Sequence, residues 1–152
     1  MNNAQHSEKL EKGSVELSKL PQISVVDDDE SVREAIKSLL DSVGFRVEVF
    51  NSAEEFLFSA RLTDTACLIA DVRMPGMSGL ELQESLNVND SSIPTVFISA
   101  HDDGEARSRA LEAGAVDFLR KPFSEDALLG AIKSALESRA NDTQVSDRDR
   151  SH

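Results

Sequence analysis

The stretch Ile23-Ser24-Val25-Val26-Asp27-Asp28-Asp29 decides the fold. A short, largely apolar run stops abruptly on three acids, as a buried strand does when it emerges into solvent. Val32, Ala35, Ile36, Leu39, Leu40 and Val43 then recur at helical spacing, and Gly44 is placed to end that helix. Strand followed by helix is the unit from which the rest of the chain is built. Phe45-Arg46-Val47-Glu48-Val49 alternates as a half-buried strand does, and Ser52 with Glu55 reads as a capping box opening a helix through about Arg61. Residues 66–70 are apolar and end at Asp71. A loop with Pro75, Gly76 and Gly79 leads to a helix from about Leu80. Residues 95–98 form a fourth apolar run, ending at Ser99, with a helix from about Gly104 to Ala113 and a stop at Gly114. Residues 116–120 make a fifth strand, ending at Lys121-Pro122. A last helix starts near Ser124 and buries Leu128, Leu129, Ile132, Ala135 and Leu136. Short apolar strands alternating with amphipathic helices predict a doubly wound α/β fold, a five-stranded parallel sheet covered on both faces.

Composition bounds the rest. The 152 residues fit one domain, and 39% hydrophobic with 29% charged residues is a globular balance. The net charge of −12 argues against direct nucleic-acid binding, which needs clustered Lys and Arg. That charge is localised. Residues 1–20 and 139–152 each balance three acids against three bases, so residues 21–138 carry the whole excess, 22 acids against 10 bases. We expect a mobile N-terminal extension over 1–20, the folded unit over 21–138 and a disordered tail or linker over 139–152. A single cysteine, Cys67, excludes an intrachain disulfide and points to a reducing, cytoplasmic setting. No apolar run approaches the roughly 20 residues of a membrane span.

In open parallel sheets, ligands bind beyond the carboxyl ends of the strands, where strand order reverses. Here those ends deliver Asp27, Asp28 and Asp29, then Asp71, Ser99 and Lys121. Taken singly, each is an ordinary polar residue at the start of a loop. Together they pose an electrostatic problem. Two carboxylates about 5 Å apart repel by roughly 3 kcal/mol at an effective dielectric of 20. One lysine is too little to neutralise the group. A hard divalent cation resolves it, and Mg2+ takes oxygen ligands and often shares its shell with a phosphate.

Four stretches carry a family resemblance: Val26-Asp27-Asp28-Asp29-Glu30-Ser31-Val32-Arg33, Asp71-Val72-Arg73-Met74-Pro75-Gly76-Met77-Ser78-Gly79, Phe97-Ile98-Ser99-Ala100 and Asp117-Phe118-Leu119-Arg120-Lys121-Pro122-Phe123. In this order, each at a strand end, they resemble the receiver domain of two-component response regulators, of the FixJ-like class. The resemblance spans essentially all of residues 21–138. It implies a flavodoxin-like (βα)5 fold with strand order 2-1-3-4-5. It implies that Asp71 accepts a phosphoryl group from a sensor histidine kinase or histidine phosphotransfer protein. Asp28, Asp71 and the backbone carbonyl of Arg73 would ligate Mg2+, with Asp27 acting through a water. Lys121, before a cis proline, would pair with the phosphoryl group, and Ser99 would hydrogen-bond it. Ser stands where many members have Thr. Phe118 would be the aromatic switch, moving inward when Ser99 is drawn to the phosphoryl group. Arg73 and His101 lie where acyl-phosphate lifetime is tuned. Helix 4, strand 5 and helix 5 would form the surface for phosphorylation-dependent homodimerisation or effector docking. Members of this class usually carry a helix-turn-helix domain after such a linker.

Two other readings fit the residues less well. A phosphatase of the haloacid dehalogenase class also uses a nucleophilic Asp after a parallel strand, but wants an acid two residues on, where this chain has Arg73. A receiver-like module that no longer takes phosphate would lack an acid or the lysine, and none is missing.

Overall fold

The computed structural model describes residues 20–59, 62–89, 91, 93–101 and 104–151, with side chains as far as 138. The expected extension therefore lies almost wholly outside the described residues. The elements alternate strictly: β1 (Gln22–Val26), α1 (Glu30–Ser42), β2 (Arg46–Phe50), α2 (Ala53–Phe58), β3 (Thr65–Asp71), α3 (Gly79–Val88), β4 (Thr95–Ser99), α4 (Gly104–Glu112), β5 (Asp117–Arg120) and α5 (Glu125–Ser151). The five strands are parallel, in the order β2-β1-β3-β4-β5. This is the doubly wound, flavodoxin-like α/β fold expected.

The central strands β1, β3 and β4 are buried along their whole length, whereas the edge strands β2 and β5 are partly exposed. Successive side chains point to opposite faces, so the sheet divides two cores. Ile23, Val25, Cys67, Ile69, Val96 and Ile98 face one core, closed by Ile36 and Leu40 of α1 and Leu128 and Ile132 of α5. Val26, Leu68, Ala70 and Phe97 face the other, closed by Phe56 of α2, Leu82 and Leu86 of α3 and Ala110 of α4. Ser24, a buried polar residue in the middle of β1, has its hydroxyl satisfied by Thr65 across the strands at 2.6 Å.

Local signals set the helix ends. Asp29 caps α1, accepting from the Ser31 amide at 2.9 Å and the Ser31 hydroxyl at 2.7 Å. Those bonds hold its carboxyl below the usual range. Gly44, at φ +95°, turns the chain after α1. Ser52 caps α2 by accepting from the Glu55 amide at 3.0 Å. The complete reciprocal box is found at the start of α3, between Ser78 and Glu81. Helix α2 ends earlier than its sequence pattern predicted. The amide and hydroxyl of Ser59 both donate to the Phe56 carbonyl and close the helix at Phe58; Arg61 lies outside the described residues. The α5 backbone continues through residues 139–151, where a disordered tail or linker was expected, and Gly and Pro are absent from that stretch. The side chains there lie outside the described residues. No described helix is long and apolar enough to cross a membrane.

Candidate functional site

The site is assembled at the carboxyl edge of the sheet. Strands β1 and β3 are neighbours with Val26 opposite Ala70, so the next residues of the two strands, Asp27 and Asp71, emerge side by side. Asp27 is fully buried, Asp71 is 8% exposed, and Asp28 is exposed. Ligand oxygens of the three acids lie within 4.8 Å of one another. From the loop after β5, Lys121 spans the two buried acids. Its Nζ donates to Asp27 Oδ2 at 2.9 Å and to Asp71 Oδ2 at 3.1 Å. Asp27 Oδ1 accepts from the Asp29 amide at 2.9 Å, and Asp71 Oδ1 from the Arg73 amide at 3.2 Å. Each buried carboxylate thus has one oxygen on the ammonium and one on a backbone N–H.

The electrostatics are strained in a directed way. Burial raises the Asp71 carboxyl above its ordinary pKa, and the Asp27 charge adds to this against the pull of Lys121. Burial pulls Lys121 down, but hydrogen bonds and attraction from Asp27 and Asp71 outweigh it, so its pKa is raised and it stays charged at neutral pH. Two buried carboxylates on one ammonium, with a third acid at the mouth, leave an excess of negative charge. The donors are all carboxylate oxygens, the set that Mg2+ prefers.

The remaining expected residues are held nearby, with different partners. Ser99 ends β4 and is 1% exposed; its hydroxyl accepts from the His101 amide at 3.1 Å and lies 3.2 Å from the His101 carbonyl. Its carbonyl accepts from the Lys121 amide at 2.7 Å, tying the β4 and β5 ends together. The Lys121–Pro122 peptide bond is cis. Phe118 is 5% exposed beneath the site, its ring 6.4 Å from that of Phe97.

Three residues that position the site were not picked out from sequence. Arg33 of α1 donates from Nη1 to the Asp27 carbonyl at 2.7 Å and pins the acidic loop. Glu54 of α2 accepts from the Met77 amide at 3.3 Å and so holds the loop after Asp71. Gly79 opens α3 against the end of β3. A Cβ there would run into the Asp71 carbonyl oxygen and sit 3.1 Å from both the Asp71 carbonyl carbon and the Phe97 ring, so only glycine permits this approach. Arg33 and Gly79 lie within motifs that sequence singles out. Glu54 carries no such signal, because its partner is a backbone amide 23 residues away.

Comparison with known proteins agrees with this geometry. The family model described as "Response regulator receiver domain" matches residues 23–133. The chain is 47% identical over 129 residues to the response regulator protein TodT of Pseudomonas putida, covering 82% of this chain and 57% of that protein. It is 40% identical over 114 residues to the transcriptional regulatory protein FixJ of Bradyrhizobium diazoefficiens, covering 75% and 56%. The chain spans a little over half the length of these curated relatives. The solved response regulator StyR superposes with a TM-score of 0.78 at 48% identity, over 87% of this chain and 67% of that one.

Proposed function

Because the chain belongs to the response regulator receiver family, we propose that Asp71 is its phosphoacceptor and that phosphorylation switches the domain between two states. The burial order of the three acids carries the reading. Asp27 is sealed from solvent, and Asp28 is exposed at the mouth. Asp71 alone is buried enough to be activated, open enough to be reached, and paired with a lysine.

A carboxylate oxygen of Asp71 attacks the phosphorus of a phosphohistidine on a sensor histidine kinase or histidine phosphotransfer protein. The P–N bond breaks as the P–O bond forms, imidazole leaves, and Asp71 becomes an acyl phosphate. Lys121 already touches the attacked carboxylate and is placed to transfer a hydrogen bond to a phosphoryl oxygen. Asp28, Asp71 and the Arg73 carbonyl would hold Mg2+, with Asp27 behind them through a water. Bound there, the ion supplies neutralisation of charge between the acids and the phosphoryl oxygens. Ser99 would leave His101 for the phosphoryl group, with Phe118 as the responding ring, and Arg73 and His101 flanking the site would set its lifetime. The surface of α4, β5 and α5 would pass the change to a second copy or an effector. The chain acts on its own phosphorylation state and is not a conventional enzyme. A cytoplasmic setting fits a kinase partner and one buried, reduced cysteine.

The test is incubation with Mg2+ and acetyl phosphate, read by intact mass. The expected result is a gain of one phosphoryl group that Asp71→Asn abolishes. No gain, or a gain that survives Asp71→Asn, overturns the reading.

A further inference from the structure

Phe118 is gripped twice by one side chain. Arg107, on α4, donates from Nη1 to the Phe118 carbonyl at 3.2 Å, and its guanidinium carbon lies 5.9 Å from the centre of the Phe118 ring. Backbone and ring of a single residue are therefore both held by a cation from the adjacent helix. The ring is also packed near Phe97 within the core shared by α2, α3 and α4. Arg107 itself is exposed. The charge that contacts the buried ring thus stands on the outer surface of α4.

We propose that Arg107 is a positioning residue of the switch, a clamp that holds Phe118 in its buried position and makes displacement of that ring and displacement of α4 a single event. The inference rests on the reading of Phe118 given above. A ring free of Arg107 could leave its pocket by repacking alone. A ring under the clamp must also break a charge-assisted hydrogen bond and a cation–π contact, or carry α4 with it. Either route links the buried ring to the helix surface. By linkage, a side chain that favours the buried ring also favours whatever ligand selects that state.

The chain has no Trp or Tyr and seven Phe, so uniform fluorophenylalanine labelling gives seven fluorine signals, with that of Phe118 assigned by Phe118→Leu. The probe for activation is beryllofluoride with Mg2+, a phosphoryl mimic. In Arg107→Met the Phe118 signal is expected to become more accessible to a soluble gadolinium relaxation agent without the mimic. The mimic concentration giving half-saturation is expected to rise about three- to tenfold, the effect of losing one such contact pair. Arg107→Lys, which keeps the cation but not the fork, recovers part of both and serves if the Met variant folds poorly. Arg109→Met, on the same helix with its side chain 57% exposed and paired with Glu84, leaves both unchanged. Unaltered accessibility and midpoint in folded Arg107→Met overturn the clamp. If the wild-type Phe118 signal ignores the mimic, the switch reading fails instead, and the resting accessibility still judges the clamp.

Discussion

Lys121→Met is the sharpest perturbation the site offers. The ammonium lies 2.9 Å from one carboxylate and 3.1 Å from the other. At an effective dielectric of 20 each contact is worth about 5–6 kcal/mol of Coulomb energy. Asp27 and Asp71, with ligand oxygens no more than 4.8 Å apart, then repel by about 3.5 kcal/mol or more with nothing between them. Relief from desolvating the lysine offsets much of this. Removing one partner of a buried ion pair costs about 3–5 kcal/mol net. The assay is urea unfolding in EDTA at pH 7, followed by far-UV circular dichroism because the chain has no Trp. With a slope of about 1.5 kcal/mol/M, the midpoint should fall by about 2–3 M. The pH dependence fixes the cause. The folded-state pKa of Asp71 is already raised by burial and by Asp27, and losing Lys121 raises it further. A carboxyl with a raised folded pKa is not penalised below its unfolded value, and becomes so as pH climbs from there through the folded value. The deficit of Lys121→Met should therefore be small near pH 4 and full at pH 7, and Mg2+ at pH 7 should narrow it. A variant within about 1 kcal/mol of wild type in EDTA at pH 7, or a deficit indifferent to acid, refutes the assignment of Lys121 as the counterion of a buried acid pair.

Gly79→Ala should cost about 3 kcal/mol or more in thermal melts, because its Cβ overlaps the Asp71 carbonyl. Gly130→Ala, with open space around it in α5, should gain up to about 1 kcal/mol; equal effects would refute the close-approach argument. Asp28→Asn should leave stability in EDTA within about 0.5 kcal/mol yet remove most of the stabilisation that added Mg2+ confers, as measured by melts with and without the ion. Burial pushes the Cys67 thiol up to about 12. The folded protein should therefore resist thiol reagents at pH 8 and react on unfolding. Its stability should fall as pH rises above the unfolded thiol value near 9, where only the unfolded thiol ionises. Rapid labelling of the folded chain would contradict that.

How far the sequence could be read follows from which interactions leave a trace in residue type. Central parallel strands are buried on both faces, so β1, β3 and β4 appear as bare apolar runs. Their ends could be placed within a residue, and with them Asp27, Asp71 and Ser99. The half-exposed edge strand β2 was displaced by one residue, at Arg46–Phe50 rather than residues 45–49, because an alternating pattern does not define its own limits. Lys121 was legible as a strand-end residue, but its simultaneous grip on Asp27 and Asp71 depends on strand order, which local pattern does not contain. Arg33, Glu54 and Arg107 act on backbone carbonyls and amides. Every residue has those groups, so no partner residue type signals these hydrogen bonds, and the further contact of Arg107 with the Phe118 ring depends on how α4 packs on β5. Gly79 is a fourth such case, its meaning lying in the atom a side chain would strike.

The three acids, alike in sequence, are sorted by the fold into three different chemistries. Asp27 and Asp71 follow the paired positions Val26 and Ala70 of adjacent strands, and therefore share one cation. Asp28 is the next residue, in the bend between β1 and α1, where its side chain is exposed to solvent. Asp27 adds a backbone amide and a buried position, and becomes an anchor whose charge raises its neighbour. Asp71 is 8% exposed and held by the same lysine, the setting that the proposed phosphoacceptor role asks for. Exchanging the environments of Asp27 and Asp28 would leave the composition and net charge of the loop untouched and undo this sorting, since the carboxylate that holds the lysine would then be at the mouth and the exposed one under the sheet edge.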